Sequence, residues 1–345
     1  MLSSMPNLSF AHGFRENPAL GEANAMDRSS TQWFREAGWG IMCHYLAGLP
    51  GGGDDAFNVS AEDWQRQVDA FDLDAFVAQI ASTGAGYLLF TVGQNSGHYC
   101  APNATYDELT GLTPTKCSKR DLILEIAEAL EPHGIRLMVY TTGGAPNEPS
   151  ASTALKWLNN RNDPGHRLVE FQLMWNRILT EWSARWGTRV HGWWVDGCYF
   201  ADTMYAFDDE PNWESFRRAL KSGNPDALVA FNPGVKIPVV TQGGEDYTAG
   251  ELAHALTVGK WREGGFRTIP SEVGGAQYHV LTFLGQFWRQ GEPRFSDGLA
   301  VGYTQFIIDN GGVITWDVPI ESDGRIPQAF VHQLQAIGRA TGKAQ

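Results

Sequence analysis

The chain has 345 residues, 43% of them hydrophobic, and a formal net charge of -13 from 39 acidic and 26 basic side chains. That balance argues against a nucleic-acid surface, whose phosphates need a Lys/Arg face, and favours a neutral or cationic small ligand, though an acidic surface serves solubility equally well. No run of about 18 apolar residues is present, so neither a membrane span nor a membrane partner is expected, and the length suits one (β/α)8 barrel or two ordinary domains.

Residues 1–32 are polar and aperiodic and read as an N-terminal arm. The opening MLSSMPNLSFAHGF has neither a basic n-region nor an apolar h-region. As it stands the chain reads as cytoplasmic, or as secreted if a signal peptide has been removed. From residue 33 onward strand and helix signals alternate, the α/β pattern. Residues 39–45 (WGIMCHY) predict a first strand, 72–82 an amphipathic helix capped by Asp72, and 87–92 (YLLFTV) a second strand. Residues 119–133 predict a helix ended by Gly134, and 135–141 (IRLMVYT) a third strand. Residues 167–186 carry Leu168, Phe171, Trp175, Ile178, Leu179 and Trp182 at helical spacing. After Gly187, residues 192–195 (GWWV) predict a fourth strand, with Asp196 at its C-terminal end and Gly197 behind it.

In the second half, 213–221 predict a helix and 228–231 a fifth strand, while 241–276 mix loops with short elements. Residues 279–288 predict a helix, 301–308 fit helix or strand, 313–318 (VITWDV) predict a last strand, and 328–341 a closing helix. No internal repeat and no low-complexity linker divides the chain. The expected fold is therefore α/β, a single (β/α)8 TIM-like barrel over 33–345 with room for irregularity.

Four cysteines, Cys43, Cys100, Cys117 and Cys198, show no CxxC motif and no zinc spacing with histidine, so no metal or cofactor is expected. Cys43 and Cys198 fall in strands as buried thiols, and a Cys100–Cys117 pair stays open. Thirteen tryptophans pack a core and also supply ring faces for the C–H faces of sugars.

Polar and aromatic groups end each early strand: His44 and Tyr45, then 93–99 (GQNSGHY), then Tyr140 and Thr141, then Asp196. In a barrel of parallel strands these ends meet at one face, where active sites lie. Singly, each has a plainer role. A histidine in an apolar strand is commonly a hydrogen-bonded core residue, Gln94, Asn95 and Ser96 are turn formers, and Asp196 can cap a helix. Trp193 and Trp194 alternate in direction, so only one can face the interior.

These residues resemble glycoside hydrolase family 29, the α-L-fucosidases. Residues 33–44 (WFREAGWGIMCH) are similar to that family's first barrel strand, 119–122 (KRDL) to its K-R-D-[LI], and 193–197 (WWVDG) to its W-F-D-G nucleophile strand. Tyr106-Asp107 fits its Y-[TD] pattern, and 310–312, 318–319 and 323–327 (DGRIP) resemble its C-terminal signature. The resemblance implies a retaining, exo-acting glycosidase acting on a carbohydrate substrate, with Asp196 as nucleophile. Retaining chemistry needs a second carboxyl group about 5–5.5 Å away. The stretch 246–251 (DYTAGE) keeps the Asp-to-Glu spacing of a family acid/base pattern and points to Glu251, with Glu245, Glu263 and Glu272 as rivals. His44, Gln94, Asn95, His98, Tyr140 and Trp194 are the expected sugar-binding residues.

Three departures bear on the substrate. Gln94-Asn95 stand where the family has paired histidines, His44-Tyr45-Leu46 stand for H-W-G, and the family's C-terminal β-sandwich has no counterpart in the 345 residues. Another sugar, such as an α-galactoside, therefore stays open, as does a non-catalytic carbohydrate-binding relative. The sequence does not give an oligomeric state.

Overall fold

The computed structural model describes residues 28–48, 58–157, 167–199, 201–235, 240–241, 244–262 and 265–342. Among the described residues eleven strands run in chain order: β1 (Trp39–Cys43), β2 (Tyr87–Thr91), β3 (Arg136–Thr142), β4 (Val190–Asp196), β5 (Leu228–Phe231), β6 (Gly259–Arg262), β7 (Gly265–Thr268), β8 (Glu272–Val273), β9 (Ala276–Gln277), β10 (His279–Phe283) and β11 (Val313–Val318). Seven form one sheet in the order β10-β11-β1-β2-β3-β4-β5, with every neighbouring pair parallel. The other four make two small antiparallel ladders, β6 with β7 and β8 with β9.

The parallel strands are short apolar runs buried on both faces, as expected where helices cover one side. Alternate residues split between two cores. Ile41, Leu88, Val139, Trp193 and Val229 join the outer core beneath the helices. Met42, Leu89, Met138, Trp194, Ala230 and Leu281 form an inner core in which strands far apart in the sheet order share one cluster, so the sheet curls around it. The alternation expected at the tryptophan pair holds: Trp193 packs outward against Trp186, with ring centroids 5.7 Å apart, and Trp194 faces inward.

The sheet is a curled, open half-barrel. Between its edges β5 and β10 lies the irregular segment 245–252. The Gly250 carbonyl accepts from Leu281 N–H (2.9 Å) and Leu252 N–H donates to Leu281 (2.8 Å), while Asp246 N–H donates to Val229 (2.9 Å). On the β5 side carboxylates replace part of the missing ladder. Glu245 accepts from the N–H of Phe231 (2.9 Å), and Asp246 accepts from the N–H of Val229 (2.8 Å). Gly250 makes the approach to β10 feasible: its φ is +66°, and a side chain there would collide with the His279 carbonyl.

The N-terminal end of the sheet is plugged. Helix Gln32–Ala37 buries Phe34 against Tyr87 and Tyr247, at ring distances of 4.9 and 5.0 Å. Residues 1–27 of the expected arm lie outside the described residues. Of the remainder, Arg28 donates to the Glu245 carbonyl and Ser29 N–H to Asp246 (2.8 and 2.7 Å), so this stretch is docked on the closing segment.

Most expected elements stand within a few residues of their places, helix Leu73–Ala81 with its Asp72 cap among them. Residues 301–308, open between helix and strand, lie within helix Asp297–Asp309. Residues 279–288 correct the reading. They form strand β10 followed by a turn, not a helix. Val280, Phe283, Leu284 and Phe287 mimic helical spacing, but β-branched Val280 and Thr282 fit a strand, and pairing with β11 decides the outcome. The eighth barrel strand is likewise replaced by segment 245–252. All four cysteines are buried free thiols, which answers the open Cys100–Cys117 pair.

Asp246 carries a heavy share of the closure, since its fully buried carboxylate also pairs with Lys221 at 2.8 Å. Asp246→Ala strands that cation and two N–H groups. Chemical denaturation should show a loss of about 3 kcal/mol; a loss under about 1 kcal/mol would mean that the segment is held by other contacts.

Candidate active site

The inward side chains at the C-terminal rim converge because the sheet curls and side chains alternate along each strand. They surround a cavity of about 170 Å³ whose lining includes His44, Gln94, Tyr140, Trp194, Asp196 and Glu251, together with Tyr199 and residues 287–289.

Asp196 is the last residue of β4. Its Oδ2 accepts from the Tyr140 hydroxyl (2.6 Å), and its Oδ1 accepts from Asn232 Nδ2 and from the N–H of Gly197 (both 2.8 Å). The Gly197 bond folds the chain back on the carboxylate through a φ of +75°. Asn232 follows β5, and the same Nδ2 donates to Glu251 Oε2 at 2.7 Å. One nitrogen thus touches both carboxyl groups, which bounds the separation of those two oxygens at about 5.5 Å, the combined length of the two bonds.

Burial, and then the Asp196 charge, push the Glu251 carboxyl up from 4.5 to about 7, partly offset by the Asn232 hydrogen bond and by His44. Glu251 therefore carries a proton through much of the range in which an ordinary glutamate is ionised.

Around this pair, Trp194 lies against the Tyr140 ring (5.3 Å, 20° between planes) and donates its indole N–H to the Ala249 carbonyl at 2.9 Å. That bond ties β4 to the segment that carries Glu251. Gln94 donates to the Tyr140 hydroxyl at 2.7 Å, completing a chain from Gln94 through Tyr140 to Asp196. His44 Nδ1 lies 2.6 Å from Asp317 Oδ1.

Two of the expected sugar-binding residues lie elsewhere. The Asn95 carbonyl accepts from the N–H of Asn147 at 2.8 Å, and Cys100 N–H returns to the Val92 carbonyl at 2.8 Å. Asn95 is not among the cavity-lining residues. His98 is buried against Trp64 (5.9 Å), its nitrogens 3.2 Å from Ser96 Oγ and 3.1 Å from the Val59 carbonyl. Burial, with Lys116 adding to it, pulls its pKa down to about 4.

Of the rivals to Glu251, Glu245 spends its carboxylate on the N–H groups of Phe231 and Thr241. Glu272 is exposed and pairs with Arg35 at 3.3 Å, and Glu263 lies outside the described residues. Sequence reasoning missed Asn232 and Asp317. The signal was present for both: Asn232 ends an apolar strand as Asp196 does, and Asp317 interrupts VITWDV at an inward position.

No protein-family model matches the chain, and no curated protein matches it. Solved structures do. The endo-fucoidan hydrolase P5AFcnA of glycoside hydrolase family 107 superposes with a TM-score of 0.64 at 15% identity, covering 90% of this chain and 94% of that one. The α-L-fucosidase AlfC from Lactobacillus casei, in complex with α-L-fucose product, gives 0.58 at 19%, covering 90% and 98%. A putative α-L-fucosidase from Bacteroides thetaiotaomicron gives 0.63 at 12%, covering 90% and 67%. The chain spans only 53% and 63% of the endo-fucoidan hydrolases MfFcnA4 and MfFcnA9. At these identities the likeness shows a shared fold.

The raised Glu251 pKa has a stability consequence. Between about pH 4.5 and 7 the folded state keeps a proton that the unfolded chain has released, so stability falls as pH rises through that window. Glu251→Gln carries no charge and keeps an acceptor for Asn232. Its stability relative to wild type should therefore rise between pH 5 and pH 8, on the order of 2 kcal/mol by denaturant titration. A flat difference would contradict the shift.

Proposed function

We propose that the protein is a retaining, exo-acting glycoside hydrolase that removes a terminal α-L-fucose or a closely related sugar. The observation that carries this reading is the Asn232 amide shared by Asp196 and Glu251. It holds Asp196 Oδ1 and Glu251 Oε2 within about 5.5 Å of each other, which supports the close carboxyl pairing of retaining rather than inverting enzymes.

In this mechanism Asp196 attacks the anomeric carbon. Its Oδ2, with Tyr140 as donor, keeps a lone pair for attack while Oδ1 holds two other donors. As the glycosidic bond breaks, Glu251 gives its proton to the leaving oxygen, and a glycosyl ester forms on Asp196. Glu251, now ionised, takes a proton from water, which attacks the same carbon and frees Asp196. A group titrating near 7 suits both halves of this cycle.

The cavity among the described residues, about 170 Å³, is below the roughly 300–1,000 Å³ of pockets that enclose drug-sized ligands, which supports removal of one terminal ring. The fold shared with AlfC supports fucose as the first substrate to try. Gln94 at the cavity wall, where a histidine is usual in the family resembled, makes an α-D-galactoside the informative comparison.

Asp196→Asn should lower kcat on 4-nitrophenyl α-L-fucoside by at least about 1,000-fold while the melting temperature stays near that of wild type. Near-normal turnover would remove Asp196 as nucleophile. Glu251→Ala should slow fucosides with poor leaving groups far more than the 4-nitrophenyl substrate, and azide should restore part of its rate. Equal losses on both substrates without azide rescue would move the acid role to another group.

A further inference from the structure

Asp317, near the end of β11, is fully buried and absent from the pair of carboxyl groups that does the proposed chemistry. Both of its oxygens are nevertheless committed to the cavity wall. Oδ1 lies 2.6 Å from His44 Nδ1, and Oδ2 accepts the backbone N–H of Arg289 at 2.7 Å. His44 and Arg289 both line the cavity. Arg289 has a φ of +56°, a costly conformation for a residue with a side chain, in a turn where Phe287 and Gln290 exchange backbone bonds.

An ionised carboxylate only accepts hydrogen bonds, so its bond to His44 puts a hydrogen on Nδ1. The ring is held edge-on between Tyr140 and Trp288, at 5.4 and 5.9 Å, and lines the cavity; with Nδ1 engaged by Asp317, Nε2 is the nitrogen left for a ligand. We infer that Asp317 is a positioning residue: it fixes the Nδ1–H tautomer of His44, so that a neutral His44 meets a sugar hydroxyl with the lone pair of Nε2, and it pins the 287–290 turn against the same cavity. The sugar hydroxyl in this inference rests on the glycosidase reading above; the tautomer does not.

Asp317→Asn separates the two tasks. The Arg289 N–H can only donate, so the asparagine oxygen must face it, and the new NH2 must face His44 Nδ1. Both contacts survive in shape, yet Nδ1 becomes the acceptor and Nε2 carries the hydrogen. Asp317→Ala loses both contacts.

The experiment is 15N–1H correlation of the histidine side chains at a pH where the rings are neutral, with His44 assigned by the signal lost in His44→Gln, together with kinetics on 4-nitrophenyl α-L-fucoside. Wild type is expected to show the Nδ1–H form, and Asp317→Asn the Nε2–H form. In that variant KM should rise roughly tenfold or more while kcat changes little. A wild-type His44 in the Nε2–H form overturns the inference whether or not either variant folds. So does a variant with inverted tautomer and unchanged KM. Absence of turnover by wild type on every glycoside would instead sink the glycosidase reading, with the tautomer result unaffected.

Discussion

A single amide nitrogen, Asn232 Nδ2, touches both carboxyl groups at the centre of the cavity. Two carboxylates this close repel, and in a partly buried site that repulsion is screened less than it would be in open water. The molecule meets the problem by keeping a proton on one of them. Among the described residues Asp196 faces three donors and Glu251 one, and Glu251 is pushed up to about 7 by burial and by its neighbour. In the proposed mechanism, the asymmetry that relieves the repulsion is also the one that would separate an attacking group from a proton donor.

That pairing depends on how the barrel closes. Asn232 extends β5, Asp196 ends β4, and Glu251 rides on a segment that is not a regular strand. Its seat is set by Gly250 against the His279 carbonyl, by carboxylates borrowed for the β5 N–H groups, and by the Trp194 indole donating to Ala249. A regular strand there would be zipped to both neighbours. The irregular segment instead brings its last residues to the cavity while Glu245 and Asp246 anchor its start. Stability and chemistry are thus coupled through one stretch of eight positions, 245–252.

Much of this architecture was legible in the sequence. Period-two alternation in 192–196 told that only one of the two tryptophans can face inward, and the run ends at Asp196 on the rim. Glu251 came from motif spacing rather than from local physics, because nothing in the run 246–251 marks Gly250 as a docking point against β10. Strand β10 was hidden by apolar spacing that fits a helix as well. Asn95 and His98 were drawn into the site because they follow a rim strand, yet the chain doubles back toward Val92 right after Gln94. Asn232 and Asp317 were passed over although each sits at an inward strand-end position. An uncharged amide and an acid inside a hydrophobic run read locally as a turn and a core residue, and only the curled sheet brings them to the cavity.

The central claim is that two carboxyl groups held by Asn232 carry out a double displacement. The most direct measurement is the 1H NMR spectrum of the sugar first released from an aryl α-L-fucoside, recorded before mutarotation. The account predicts α-L-fucose as the first-formed anomer. β-L-Fucose appearing first would mean single displacement by water, and would contradict both the covalent role of Asp196 and the meaning given to the carboxyl spacing.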